Sequence, residues 1–455
     1  MSVYESNLSN STFFLSLFDP RQRPKGSRDP LGTEAVWGKL GRRLVGNLTT
    51  VTSNLESFFV ALLCCDYSHQ VISGNDSKVS AVDIAERQER FARMEQVLAY
   101  IRLSFPKHAA VQGILGITKA KARLEQKSIK LGLAHPLLTN QLSMGLWGYY
   151  TPAMARAGLV NIESRKLTEQ GGMAADSVKS ELGTAYKALC EYADAGQLDT
   201  DDLIPLAEVV EQVFYQLKVR KAFVEALIEK NADCSAQAAL YQQALLYIQQ
   251  RYKEKKPLGA KHFLDYLADC ESTELNIPAQ DIKLVEPVLV INSHVFNWLQ
   301  GQHDRTKDEV VKDLQERMSV TELSVPPLSL PRQSFWQRSA ELINQCDIQS
   351  NEQESSLAYV ETYLEHLLEH HKEVTKARHG APWVELRNDK VFVRVVSSSG
   401  KLPAVESGFS ELTDKLENSY FLYSFLAIAK EAIDKESGII ESDASYEKTD
   451  KDAAR

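Results

Sequence analysis

The sequence predicts a mainly α, multi-domain helical protein with a small C-terminal β-hairpin. Three observations carry this. Apolar residues recur every three or four positions through most of the 455-residue chain, the repeat of a helix face. Glycine, proline and asparagine interrupt those runs at intervals that suit separate helices. Apolar and polar residues alternate clearly only in "PWVELRNDKVFVRVV", around Asn388-Asp389, where the pattern marks a hairpin. With 44% hydrophobic and 25% charged residues the composition is that of a globular protein, and at ~150 residues per domain the length allows about two to four domains.

Residues 1–30, including "FDPRQRPKGSRDPLG", mix Pro, Gly and Arg without a helical period and read as an extended arm. From Thr33 to Tyr67, the residues Val36, Leu40, Leu44, Leu48, Val51, Leu55, Phe58 and Leu62 keep one helical face, which Gly38, Gly41, Gly46 and Asn47 split into two helices. "FFVALLCCDY", Phe58 to Tyr67, is apolar all round but far shorter than the ~20 residues of a membrane helix, so a buried core helix is expected. No basic stretch precedes the apolar patch of the arm, so a cytoplasmic location is expected. Over 80–105, Val82, Ala85, Phe91, Met94, Val97, Leu98 and Ile101 form a core face, with Glu86, Arg87, Glu89, Arg90 and Arg93 expected in water until Pro106 ends the helix. The arm and these helices make residues 1–105 the first expected domain.

The next stretch is basic. "PKHAAVQGILGITKAKARLEQKSIKLGL" carries Lys107, Lys119, Lys121, Arg123, Lys127 and Lys130 against Glu125 alone, and Thr118 suits the N-cap of a helix ending near Gly132. Leu137, Leu138, Leu142, Leu146 and Trp147 follow as a helix face. Thr151-Pro152 then reads as an N-cap with proline at the first helical position, and Gly158 as the residue past a helix end. Leu159 to Ile162 and Lys166 to Thr168 are short strand candidates joined by polar "ESR", and Thr168 caps a further helix weakened by Gly171-Gly172. Helix, turn, helix, hairpin, helix is the order of a winged helix, which makes residues 106–180 a winged-helix-like basic module.

The passage "GLVNIESRKLTEQGG" resembles the helix end, wing and L-T-x-x-G turn of bacterial winged-helix repressors of the MarR or PadR kind. That resemblance implies DNA contact, with Tyr149, Tyr150, Thr151 and Arg156 facing the groove and Arg165 and Lys166 on the wing. "SRDPLGTEAVWGKLGRRLVGNLTTVT" and "LTNQLSMGLWGYYTPAMARAGL" are in turn similar to uncharacterised bacterial proteins of phage-defence and DNA-processing gene clusters. This second likeness implies subunits such as a helicase or nuclease as partners.

Charge agrees with a two-ended chain. Residues 1–170 hold 21 Lys and Arg against 14 Asp and Glu, while residues 171–455 hold 31 against 47. Phosphate binding depends on clustered cations and not on the total, so Arg21, Arg23, Arg28, Arg42, Arg43, Lys119, Lys121, Arg123, Lys127, Lys130, Arg165 and Lys166 are the expected phosphate contacts.

Beyond residue 180 the pattern is helical. Residues 181–320 read as a helical domain whose recurrent aromatics pack a core, and prolines in "MSVTELSVPPLSLPRQ" mark a connector over 318–333. Residues 334–435 read as a C-terminal helical domain with the β-hairpin, closed by one long helix from Phe409, and 436–455 as a disordered tail. Cysteines at 64, 65, 190, 234, 270 and 346 show no C-x-x-C spacing and read as core residues, not as a zinc site. His366, His370 and His371 lie on one helix, but residue 367 is leucine; H-E-x-x-H is absent and a solvated polar face is expected. "DAGQLDTDD" at 194–202 lacks the ligand alternation of a calcium loop and reads as a loop ending in an N-cap. No P-loop, dinucleotide or nucleophile-elbow motif occurs.

Together these readings give the expectation of a non-enzymatic, DNA-associated subunit of a bacterial anti-phage or DNA-processing complex, without cofactor, compatible with oligomerisation and with no membrane partner. The alternatives are a protein-interaction scaffold that does not touch DNA, and an unrecognised nuclease.

Overall fold

The computed structural model describes residues 29–70, 81–107, 111–201, 203–229, 236–318, 322–346, 353–397 and 400–433. They are mainly helical, with two small antiparallel strand pairs. No helix among them is long and apolar enough to cross a membrane. The chain divides into two compact units, residues 1–40 with 277–418, and residues 41–276 with 419–455. The connector expected over 318–333 falls inside the first of these.

In the unit of residues 1–40 and 277–418, α1 (Thr33–Gly41) starts from Asp29, whose carboxylate accepts the Thr33 and Glu34 N–H groups. The hairpin reading holds: Val384–Arg387 pairs antiparallel with Lys390–Val393, and Asn388 and Asp389 both take positive φ, 49° and 59°, as a two-residue turn of the type favoured in hairpins requires. The helix Gln353–Ala377 overturns the expectation of a solvated histidine face. His370 stacks on Phe335 at 3.4 Å between centroids and donates from Nε2 to the Leu31 carbonyl at 2.8 Å, while His371 packs on Phe296. The long closing helix is also corrected. It appears as Ser410–Thr413 and, in the other unit, Leu422–Ala429, because Glu286 captures the Glu417 and Asn418 N–H groups and holds the chain out of helix there.

The unit of residues 41–276 and 419–455 is built on α2 (Leu55–His69) packed against α3 (Ala81–Leu103). Asn54 caps α2 by accepting the Ser57 N–H at 2.8 Å. The run "FFVALLCCDY" is buried on nearly every side as expected: Phe59 meets Phe214 and Phe223, and Phe58 meets Tyr150 edge-on. Two buried ion pairs tie this core together, Arg102 to Glu211 at 2.6 Å and Arg220 to Glu56 at 2.9 Å, the second extended to Glu431.

The basic helix is shorter than its charge pattern suggests. α4 covers Ile117–Arg123, and the chain then turns into β1 (Ser128–Lys130). Three further helices follow as single turns or little more: α5 (Gln141–Met144), α6 (Leu146–Tyr149) and α7 (Thr151–Arg156). One continuous face from Leu137 to Trp147 fails at Gly145, whose extended backbone faces Glu95 on α3. Glu95 accepts the Leu146 N–H and the Gln141 amide, and burial pushes its carboxyl up to about 7 against those two hydrogen bonds. Thr151 is not the cap of α7; its hydroxyl donates to the Trp147 carbonyl one turn back.

The hairpin between α7 and α8 (Glu169–Leu182) is present in miniature. Val160 bridges Leu167, Asn161 donates to the Lys166 carbonyl at 2.8 Å, and Thr168 donates to the Leu159 carbonyl at 3.0 Å. Gly158, at φ 73°, closes α7 with Leu159 N–H reaching the Met154 carbonyl, a helix end that a left-handed residue makes possible. Thr168 caps α8 as expected. Gly171 has a packing role the sequence hid: a Cβ there would lie 1.9 Å from the Leu159 carbonyl oxygen, so only glycine lets the hairpin sit against the helix. After α8 come α9 (Thr184–Ala195), β2 (Gln197–Asp199), α10 (Leu203–Phe214), α11 (Leu217–Val224), a π-helical turn at Glu225–Glu229, α12 (Ala236–Lys253) and α13 (Ala260–Ala268).

Candidate nucleic-acid interface

α4 and β1 position the lysines. Lys119 and Lys121 are exposed on α4, anchored through buried Ala120, and Lys127 and Lys130 are exposed around β1, anchored through buried Ile129. Arg123 belongs to the scaffold. Its guanidinium donates to the His135 carbonyl at 2.7 Å and to that of Pro136, pinning α4 to the loop behind it.

β1 finds its partner seventy residues away. Ser128, Ile129 and Lys130 pair with Asp199, Leu198 and Gln197, and the Thr200 N–H reaches the Lys127 carbonyl at 3.1 Å. Within the tract "DAGQLDTDD", Gln197–Asp199 is therefore the strand that completes the basic segment, which corrects the loop reading there; the N-cap expected before Leu203 falls at residue 202, outside the described residues. Lys130 and Asp199 occupy the same exposed face of the ladder, diagonal neighbours of the kind that sit roughly 7–8 Å apart. The carboxylate lowers the positive potential at that end of the lysine row.

The other expected contacts separate into three groups. Arg21, Arg23 and Arg28 lie outside the described residues. Arg42, Tyr150 and Thr151 are engaged within the fold: half-exposed Arg42 donates to the carbonyls of Val45, Gly46 and Leu48 and stacks over Phe421, Tyr150 is 3% exposed with its hydroxyl on the Val51 carbonyl, and Thr151 is fully buried. A buried threonine and a buried tyrosine cannot face a groove, so the groove-facing pair is reduced to half-exposed Tyr149 and exposed Arg156. Arg43 is half-exposed. On the hairpin, Lys166 is exposed, whereas Arg165 folds back over the Trp147 ring, 5.7 Å from its centroid, and burial lowers its basicity.

The hairpin and the lysine row meet α3 at different levels. Ser164 on the hairpin accepts from His69 Nε2 at 3.1 Å, and His69 feels the charge of Arg87; Arg123 at the end of α4 acts on Tyr100. Arg87 and Tyr100 are thirteen positions apart on one helix, about 20 Å at 1.5 Å per residue. The exposed lysines among the expected contacts thus lie in two places, Lys119, Lys121, Lys127 and Lys130 on α4 and around β1, and Lys166 on the hairpin.

Two residues near the hairpin, His69 and Arg87, were not legible as site residues. Arg87 carried a signal nonetheless: it stands four residues before Phe91 and seven before Met94, on the apolar stripe of its own helix. It is buried, at 7% exposure, which corrects the expectation that it faces water. Among the described residues no group of three or more His, Cys, Asp or Glu side chains gathers as a metal site would need. Set against protein-family models, curated proteins and solved structures, the chain matches none.

Proposed function

We propose that this chain is a non-enzymatic, DNA-associated subunit that grips duplex phosphates through the basic part of residues 41–182. The observation that carries the reading is the concentration of four exposed lysines, Lys119, Lys121, Lys127 and Lys130, within twelve residues of α4 and β1. A lysine row of this kind contacts phosphate without reading sequence. Exposed Arg156 and Lys166 extend the surface toward the hairpin.

The passage from α5 to α8 is read as a reduced winged helix, in which α6 contributes Tyr149, the short α7 contributes Arg156 and the hairpin contributes Lys166. The setting, a bacterial anti-phage or DNA-processing assembly with helicase or nuclease partners, rests on the resemblance of the N-terminal segments. One observation favours the scaffold alternative: the basic strand β1 already pairs with the acidic tract around Asp199, so opposite charges from a partner protein suit the same surface. Duplex binding by the full chain at two salt concentrations, with the four lysines intact or replaced, separates the readings, because phosphate contact requires a salt slope that the lysines set.

A further inference from the structure

The structure assigns a phosphate-binding site to the junction of the hairpin with the C-terminal end of α2 and the first turns of α3, made by Arg87, Arg165, Lys166 and His69. Arg87 is the first reason. It is more than nine-tenths buried, its Nε is wholly enclosed without a partner, and its side chain forms no hydrogen bond or ion pair among the described residues. A buried guanidinium without a counter-charge is costly and rare. A bound anion would supply the missing charge.

His69 is the second reason. Its Nδ1 lies 2.9 Å from the Cys65 carbonyl oxygen and 3.1 Å from Ser68 Oγ, and its Nε2 lies 3.1 Å from the Ser164 carbonyl oxygen. A neutral ring donates from Nε2 to Ser164 and accepts the Ser68 hydroxyl on Nδ1, while the imidazolium donates to both carbonyls, so this setting accommodates the charged ring when a counter-charge is present. The groups facing this ring are Arg87 from α3, Lys166 from the hairpin, and Cys65 with Ser68 from α2. Burial, with the charges of Arg87 and Lys166, holds the ring below its usual basicity. An anion seated among these cations cancels their repulsion and lets His69 take its second proton.

Arg165, on the same hairpin, has its Nε enclosed and unpartnered while its Nη1 donates to the Ile162 carbonyl. Lys166 is the exposed member at the mouth. The ligand is a phosphate group, either a free anion or one belonging to a nucleic acid. The site stands independently of duplex binding by the lysine row.

The test uses the full chain and inorganic phosphate, with chloride at equal ionic strength as the reference. Phosphate raises the melting temperature above the chloride value, as any ligand selective for the folded state does, and moves the His69 titration upward by NMR. Arg87→Met in chloride melts at or above wild type, because an uncompensated buried charge has gone, and loses the phosphate increment. Lys166→Ala, at an exposed position, keeps the fold and reduces the increment; it decides the matter should Arg87→Met fail to fold. No increment in the wild type, or an increment and a His69 shift that survive Lys166→Ala unchanged, overturns the site. A third arm uses a 5′-phosphorylated duplex beside an unphosphorylated one. Preference for the phosphorylated duplex, lost in Lys166→Ala, identifies a nucleic-acid end as the source, while a phosphate increment without duplex binding leaves the site standing and removes the DNA reading.

Discussion

His371 accepts the backbone N–H of Trp383 on Nε2 at 2.7 Å, which fixes the proton of the neutral ring on Nδ1. That proton goes to the Pro30 carbonyl at 2.9 Å, and the neighbouring His370 donates to Leu31. Burial pushes both rings down, to about 4 from an ordinary 6.5. Between those values the unfolded chain binds protons that the folded chain refuses, so stability falls as pH is lowered from about 6.5 to about 4 and levels off below it. Above pH 6.5 both states hold neutral rings and the effect vanishes. Either histidine alone accounts for about 3 kcal/mol over that window at 1.36 kcal/mol per unit. Urea midpoints across the pH range check this, and His371→Asn, which removes one of the two rings, flattens the acid limb.

The Arg102–Glu211 pair, each side chain only 1% exposed, gives a second prediction. Arg102→Met leaves an uncompensated carboxylate and costs about 3–5 kcal/mol. Arg102→Met combined with Glu211→Leu removes both charges and recovers most of that loss. Chemical denaturation of the two variants measures the difference.

Adjacent glycines on α8 should respond in opposite directions. At Gly171 a methyl group meets the Leu159 carbonyl, so Gly171→Ala destabilises by about 1–3 kcal/mol through overpacking. At Gly172 nothing lies within 4 Å of the added carbon, and Gly172→Ala in a helix interior gains about 0.5–1 kcal/mol. Thermal melts of the two single variants settle the sign of each.

What the sequence made legible was periodic or local. The apolar stripe of α2, the Thr168 cap, the Gly158 helix end and the Asn388-Asp389 turn all depend on neighbours within a few residues, and all are found. What stayed hidden depends on distant partners. Nothing near Ser128 announces that Gln197–Asp199 will convert the end of a basic helix into a strand. Nothing near Arg42 or Arg123 announces that backbone carbonyls will take their guanidinium groups. His370 and His371 look solvated in a run of glutamates, and only the return of residues 29–31 buries them. The same limit applies to the site: exposed lysines were readable from charge and the position of Arg87 on an apolar stripe hinted at its burial, while the doubly faced His69 emerges only once the hairpin closes on α2.

The most direct measurement is the salt dependence of duplex binding by fluorescence anisotropy, for the wild type and for Lys119, Lys121, Lys127 and Lys130 replaced together by alanine. Each lost phosphate contact lowers the slope of log K against log salt by about 0.9, so a clear drop in both slope and affinity is predicted, alike for every duplex sequence. An unchanged affinity and slope would contradict the account.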